Sequence, residues 1–139
     1  MYGALDISTS GMIAQRVRMT AISANIAGRN SVMPDGTPYR AKSVFFEPGN
    51  PSARSPEGKK LGVHVATIED DMQPFNIRYD PTNTRAIKDG RLQGYVLESN
   101  VNPVTEQINA LQAARAYEAN AVAAETTKSM FGQALRLLG

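Results

Sequence analysis

The chain has 139 residues and a formal net charge of +2, from 15 basic and 13 acidic residues, and 42% of its residues are hydrophobic. This length suits about one domain, and the hydrophobic fraction is too high for a chain that is disordered throughout. The near balance of charge argues against a nucleic-acid-binding surface, and the absence of cysteine excludes disulfides and thiol chemistry.

No apolar run in the sequence approaches the ~20 residues of a membrane-spanning helix. The first residues, Met1 to Asp6, form neither a basic stretch nor an apolar stretch, so no cleaved secretion signal is expected. Taken alone, these two features predict a protein of the cytoplasm without a membrane span.

The first predicted element is a helix from Leu5 to Ala27, a segment without proline. Asp6 and Ser8 suit the first turn of such a helix, and Gly28 is a suitable end. Apolar residues recur along one face, which predicts that this face is buried. These residues are Leu5, Met12, Met19, Ile22 and Ile26.

The centre of the chain is predicted to form short strands joined by turns. All eight prolines of the sequence lie from Pro34 to Pro103. Alternating, β-branched and aromatic residues predict four strands. These strands are expected at 43–46, 63–68, 75–79 and 92–97. Residues 48–60, which are rich in proline and charge, are predicted to form a mobile loop.

The last predicted element is a helix that runs without proline to the end of the chain. Asn102 suits its N-cap, Pro103 its first position and Glu106 its first turn. One face then follows an unbroken 4-3 spacing, which is typical of a coiled-coil seam. The residues of this seam are Ala110, Ala114, Tyr117, Ala121, Ala124, Lys128, Phe131, Leu135 and Leu138.

The predicted length of this last helix has a consequence for assembly. A helix from Pro103 to Leu138 is roughly 54 Å long at ~1.5 Å per residue. A compact globule of this chain length has a diameter of only ~37 Å, so the helix should project beyond it. The first helix, roughly 35 Å long, can cover part of the seam. We expect other chains to cover the rest.

Alanine is concentrated in the middle of the last helix. Eight of the fifteen residues from Ala110 to Ala124 are alanine, distributed around most of the helix. Alanine favours helix formation and permits close approach of neighbours. Two interpretations stay open at this point. The helix is either packed on one face and exposed elsewhere, or surrounded by other helices as in a tubular array.

The sequence offers little for a chemical site. His64 is the only histidine, and its alternating pattern indicates a strand side chain rather than a metal ligand or catalytic base. Glu69, Asp70 and Asp71 form an acidic run, for which a solvated strand end is the better interpretation. Phosphate-binding, dinucleotide-binding and nucleophile-elbow motifs are absent. We therefore predict no catalytic residue, no metal site and no cofactor.

Several segments along the chain carry a resemblance to a known family. They include Leu5 to Met12, Ile22 to Ala27, Tyr39 to Glu47, Asn100 to Val104 and Ala114 to Asn120. In this order and spacing they resemble the axial proteins of the bacterial flagellar rod and hook, and within that family the proximal rod proteins.

The resemblance implies an α+β fold with two parts. Residues 1–30 and 101–139 would form an inner α domain of antiparallel, coiled-coil-like helices, and residues 31–100 an outer β-rich domain. Such a chain would be a structural subunit and not an enzyme. It would assemble helically with copies of itself and other rod proteins into the driveshaft that transmits torque to the hook and encloses the export channel. It would act in the periplasmic basal body, after export by the flagellar type III apparatus.

The resemblance and the seams together predict a subunit interface. Arg16, Arg18, Arg115 and Glu118 would fix the register of neighbouring chains through charge pairs, and Asn25 belongs to the shared signature. The other expected interface residues are Leu5, Met12, Met19, Ile22, Ile26, Tyr117, Ala121, Ala124, Phe131, Leu135 and Leu138.

Three other functions are kept as alternatives. A coiled-coil oligomerisation or adaptor module is the first, since paired helices with an exposed seam would serve it equally well. A hydrolase with a site around His64 and Glu69 to Asp71 is the second. Nucleic-acid binding by the helix that carries Arg16 and Arg18 is the third and weakest.

Overall fold

The computed structural model describes the backbone of residues 2–139 and the side chains of residues 3–139. Met1, which begins the predicted terminal-helix domain, lies outside the described residues. The elements in chain order are α1 (Tyr2–Gly28), β1 (Lys42–Pro48), α2 (Pro56–Leu61), β2 (Val63–Asp70), β3 (Asn76–Tyr79), β4 (Tyr95–Glu98) and α3 (Pro103–Leu138). Two long helices lie at the ends of the chain, before and after a small β-rich centre, which confirms the predicted α+β class.

The helices α1 and α3 pack against each other in antiparallel orientation. Two contacts fix their register. The side chain of Asn25 in α1 reaches Glu106 in α3, and Gly11 lies against the side chain of Asn120. The 36 residues of α3 span roughly 54 Å, and the 27 residues of α1 span roughly 40 Å. The longer helix therefore extends beyond the shorter one.

The start of α3 and the end of α1 lie where the sequence predicts them. Gly28 ends α1, but for a different reason from the one predicted. Asn102 caps α3 by accepting hydrogen bonds from the backbone N–H groups of Val104 and Thr105, and Pro103 follows at the first position. Gly28 ends α1, where a Cβ would lie 2.8 Å from the ring of Tyr39. Close packing of that ring, rather than a left-handed cap, requires glycine there.

The centre holds two separate two-stranded antiparallel sheets, one formed by β1 and β2 and the other by β3 and β4. The first contains an irregularity between Phe45 and Phe46, and the second pairs Asn76 with Glu98 and Tyr79 with Tyr95. A two-stranded sheet is marginal by itself, and the first hairpin packs against α1. All four predicted strands are confirmed, with boundaries shifted by up to three residues. The division into two domains stays a prediction.

The segment 48–60 contains an element that the sequence did not predict. The short helix α2 begins at Pro56, and Ser55 is its N-cap, with its hydroxyl accepting from the backbone N–H of Gly58. α2 packs against α1. The mobility expected for this segment stays a prediction. Within the described chain, no helix combines the length and the apolar character needed to cross a membrane.

Candidate subunit interface

The side chain of Asn25 joins three parts of the chain. Its amide nitrogen donates to the backbone carbonyl of Lys42 and to the Glu106 carboxylate, both at 3.0 Å. Its amide oxygen accepts from the Lys42 N–H at 2.8 Å and from the Tyr39 hydroxyl at 3.2 Å. Burial raises the pKa of Tyr39, so this hydroxyl stays a donor. With only 1% of its surface exposed, Asn25 holds α1, β1 and α3 together.

Polar residues near the start of α1 hold the α2 segment in place. The Asp6 carboxylate accepts from the Ser55 hydroxyl at 2.6 Å and from the Ser55 N–H at 3.0 Å. The Ser10 hydroxyl accepts from the N–H of Val63, the first residue of β2, at 3.1 Å. Since α1 already begins at Tyr2, Asp6 does not serve the first turn, as the sequence had suggested. It connects two helices instead.

The contact between Asp6 and Ser55 predicts a pH dependence of stability. The hydrogen bonds from the Ser55 hydroxyl and then from its N–H lower the pKa of Asp6 below its usual value of 3.8. A lowered folded-state pKa contributes stability that is present above the unfolded value and is lost as the pH falls through the folded value. We expect Asp6→Asn to lower the melting temperature at neutral pH, and this difference to shrink below pH 3.8.

The measurement is thermal unfolding of both proteins from about pH 7 to about pH 2, followed by circular dichroism. Asp89→Asn is the matched control, because Asp89 is exposed and lies in a loop. A difference between Asp6→Asn and the natural chain that stayed constant down to the lowest pH would show that the charge of Asp6 contributes nothing.

Small residues bring α1 and α3 close together. A Cβ on Gly11 would lie 2.8 Å from the side-chain amide atoms of Asn120. Ala14 and Ala21 in α1 are buried, and Ala113 in α3 is fully buried, at 0% exposure. Because small side chains line the contact, the two backbones approach closely, and one larger side chain would force them apart.

The predicted interface residues divide by exposure. Ile22 and Asn25 are buried within the chain itself, so the structure assigns both to intrachain packing, although they were predicted to contact a neighbouring subunit. A second group is half-buried: Leu5, Met12, Arg18, Met19, Ala121, Ala124 and Phe131. A third group is exposed: Arg16, Ile26, Arg115, Tyr117, Glu118, Leu135 and Leu138.

The four charged residues of the predicted interface form no salt bridge within the described part of the chain. The salt bridges found there involve Lys42 with Asp70, Arg78 with Asp80 and Glu98, and a long contact of His64 with Glu47. Arg16, Arg18, Arg115 and Glu118 take part in none of these.

The predicted seam of α3 continues beyond the end of α1. Gly11 of α1 contacts Asn120 of α3. Because the helices are antiparallel, nine residues back from Gly11 and nine residues on from Asn120 place Tyr2 opposite Ser129. Phe131 lies eighteen residues from buried Ala113, about five full turns, and so faces the same side. Leu135 and Leu138 extend this side with 68% and 85% exposure. They are exposed because α1 does not reach them.

A second apolar surface on α3 was missed by the sequence analysis. Val104, Ile108 and Leu111 are each more than half exposed. Val104 lies nine residues from Ala113, about two and a half turns, and so points away from α1. The same 4-3 spacing that marked the seam also marks this group.

The residues considered for a chemical site have structural contacts. His64 lies in β2, and its Nδ1 is 2.7 Å from the carbonyl oxygen of Gly49. Asp70 pairs with Lys42 at 2.7 Å, and Asp71 accepts from the Gln73 N–H. Among the residues that the structure describes, no group of three or more acidic, histidine or cysteine side chains is placed to hold a metal ion.

Comparison with known proteins gives consistent matches. Residues 92–137 match the family model described as flagellar basal body rod FlgEFG protein C-terminal. The chain is 39% identical to the flagellar basal-body rod protein FlgC of Borreliella burgdorferi, over 99% of this chain and 97% of that protein. It is 34% identical to FlgC of Bacillus subtilis, over 98% and 97%, and 37% identical to FlgC of Escherichia coli O157:H7, over 95% and 93%.

Proposed function

The chain belongs to the family of flagellar basal-body rod proteins FlgC, and we propose that its terminal helices bind neighbouring subunits of the rod through the surfaces that α1 leaves uncovered. Its function is that of a structural subunit of the flagellar basal body. Identity of 34% to 39% over nearly the full length of this chain and of its relatives supports this assignment.

The observation that carries the proposal is the exposed end of α3. Leu135 and Leu138 continue a seam that α1 covers in part, and 68% and 85% of their surfaces are exposed. Large apolar side chains on an ordered helix are stabilised when a partner covers them. A neighbouring subunit that continues the seam would bury both leucines.

The proposed interface includes charged residues as well as apolar ones. Arg16, Arg18, Arg115 and Glu118 would pair with residues of neighbours and set the register between subunits, because charge pairs contribute specificity more than affinity. The apolar contacts would comprise Leu5, Met12, Met19, Ile26, Tyr117, Ala121, Ala124, Phe131, Leu135 and Leu138.

We further propose that the chain acts mechanically rather than as a catalyst. Seams buried on several neighbours would stiffen the rod and pass torque from subunit to subunit. We place the chain in the proximal, periplasmic part of the rod, around the export channel, with copies of itself and other rod proteins as partners. The flagellar export apparatus would deliver it. These finer assignments rest on the family membership and on the helix–β–helix architecture.

Leu135→Glu is the first test of this interface. We expect the purified variant to keep the helix content and melting temperature of the natural chain, because Leu135 is already 68% exposed. We expect it to be lost from isolated basal bodies, since burying an unpaired carboxylate in an apolar contact is strongly unfavourable. The measurements are swimming in soft agar and immunoblotting of purified basal bodies, in a strain that lacks the natural chain.

Gln133→Glu is the matched control, because Gln133 is exposed on the same helical turn but lies off the seam. Normal incorporation of Leu135→Glu would contradict the proposed interface. The alternative of a free-standing adaptor module predicts a stable small oligomer of the pure chain in sedimentation. The rod assignment predicts a monomer with frayed termini that polymerises only with partners.

A further inference from the structure

A cavity of about 270 Å³ lies where the end of α1 meets the sheet of β3 and β4. Three arginines line it: Arg29 just after α1, Arg78 in β3, and Arg85 in the loop between β3 and β4. Among the described residues that line the cavity, only Glu98 in β4 carries a carboxylate. With three arginines and one glutamate, the lining has a formal charge of +2.

The three arginines differ in how their charge is compensated. Arg78 places its Nε 2.7 Å from Glu98 and its Nη2 3.8 Å from Asp80, which does not line the cavity. Arg29 and Arg85 are exposed, and neither pairs with an acidic side chain of residues 3–139. Two guanidinium groups at one cavity therefore lack an acidic partner, and a cleft lined by one sign of charge concentrates ions of the opposite sign.

The side chains around the cavity suit a phosphate group. A guanidinium group binds phosphate through two parallel N–H donors. Asn30 and Ser31 also line the cavity and add neutral donors. A phosphate monoester carries a charge of about −1.5 to −2 at neutral pH, which matches the lining better than the single charge of a carboxylate. The volume is near the lower limit for ligand pockets, so a phosphate and a small attached group fit.

The position of the cavity gives a bound group a structural effect. Among the described elements, β3 and β4 pair with each other but pack extensively against no helix. The hydrogen bond from the Asn76 amide to the Ser99 carbonyl also stays within this part of the chain. A ligand held by Arg29 on one side and by Arg78 and Arg85 on the other connects the sheet to the end of α1.

We propose that this cavity binds a phosphate group and that the bound phosphate braces the sheet of β3 and β4 against the end of α1. Arg29 and Arg85 bind the phosphate, and Glu98 holds Arg78 in place beside them. The site contains no residue of the subunit interface proposed above, so the two proposals can fail independently. Free phosphate and a small phosphate ester present the same group to the arginines.

Titration of the full chain with inorganic phosphate, and separately with glycerol 3-phosphate, tests the site. Ionic strength is kept low and constant, because salt screens exposed charges. In amide NMR spectra we expect saturable shifts confined to the residues that line the cavity, with a Kd of about 1 mM. Tighter binding of glycerol 3-phosphate would identify an ester as the ligand, and equal affinities would identify the free ion. No saturable binding of either compound would overturn the proposal.

Arg29→Gln and Arg85→Gln each remove one guanidinium group from the cavity. Both residues are exposed, so the fold should be kept, and we expect each change to weaken binding about tenfold. Arg91→Gln is the matched control, because it removes the same charge from an exposed arginine that does not line the cavity. Equal weakening by Arg91→Gln would indicate general charge attraction and would overturn the site.

Amide hydrogen exchange of β3 and β4 tests the bracing of the sheet. At a ligand concentration near the Kd of the natural chain, we expect slower exchange in this chain and in Arg91→Gln, because binding stabilises the closed state. We expect little change in Arg29→Gln, which binds weakly at that concentration. Exchange that stayed unchanged at saturation would overturn the bracing, since the bound phosphate would then not hold the sheet.

Discussion

Asn25→Ala is expected to destabilise the protein by about 3 kcal/mol, because it removes a buried side chain that satisfies several polar groups at once. The backbone N–H and carbonyl of Lys42, the Tyr39 hydroxyl and the Glu106 carboxylate all lose a partner. Each of these groups would be left without its hydrogen bond near the contact of α1, β1 and α3. Urea unfolding, followed by circular dichroism, measures the loss.

Asn25→Asp separates the hydrogen-bond pattern from the volume of the side chain. This change keeps the shape of the side chain but replaces the amide nitrogen, which donates to Glu106, by a carboxylate oxygen. The nitrogen now lies 3.0 Å from the Glu106 carboxylate, so two carboxylates would face each other at about this distance. We expect it to be less stable than Asn25→Ala at neutral pH. Burial and the neighbouring carboxylate raise the pKa of the introduced carboxyl, so its stability should recover as the pH falls.

The control for both variants is Asn30→Ala, since Asn30 is exposed just after α1. Its free energy of unfolding should stay within about 0.5 kcal/mol of the natural value. If Asn25→Ala had an equally small effect, the three parts of the chain would be held by apolar packing, and the hydrogen bonds of Asn25 would be incidental.

The terminal helices could be predicted because their signals are local. The seam of α3 is readable from 4-3 spacing alone, and the cap at Asn102 depends on residues within one turn. Helix length then indicated an uncovered end, which the exposure of Leu135 and Leu138 bears out within the described chain. Local periodicity and simple geometry carry this much of the structure.

The roles of Asn25 and Asp6 could not be predicted, because their partners are distant in sequence. Asn25 and Glu106 are 81 residues apart, and Asp6 and Ser55 are 49 apart. A polar residue on the apolar face of a helix signals a buried hydrogen bond but not its partner. The family signature predicts a subunit contact for Asn25, whereas its side chain forms hydrogen bonds that join elements of one chain.

Packing of the two long helices depends on small residues more than on large ones. Ala14, Ala21 and Ala113 are buried, and Gly11 lies directly against Asn120. On one side of the alanine-rich part of α3, the small residues allow α1 to pack closely. This side fits the interpretation of a helix that is packed on one face and exposed elsewhere. The other side of α3 carries the exposed residues Val104, Ile108 and Leu111, and the second interpretation would require a neighbouring helix on that side.

Ala113→Phe is expected to destabilise the protein by about 3 kcal/mol, because a ring cannot fit where a methyl group is already fully buried. The ring would push α1 away from α3 and disturb the register set by Gly11 and Asn25. The measurement is urea unfolding, together with amide hydrogen exchange of α1. Exchange in α1 should become faster, since the helix would lose the contact that protects it.

Ala119→Phe is the matched control, because it makes the same change at an exposed position of the same helix. We expect it to leave the free energy of unfolding of the pure chain within about 0.5 kcal/mol of the natural value. If Ala113→Phe were equally harmless, α1 and α3 would be loosely packed. A loose pair could not hold the tip of α3 in a fixed direction, and the interface proposed there would lose its rigid support.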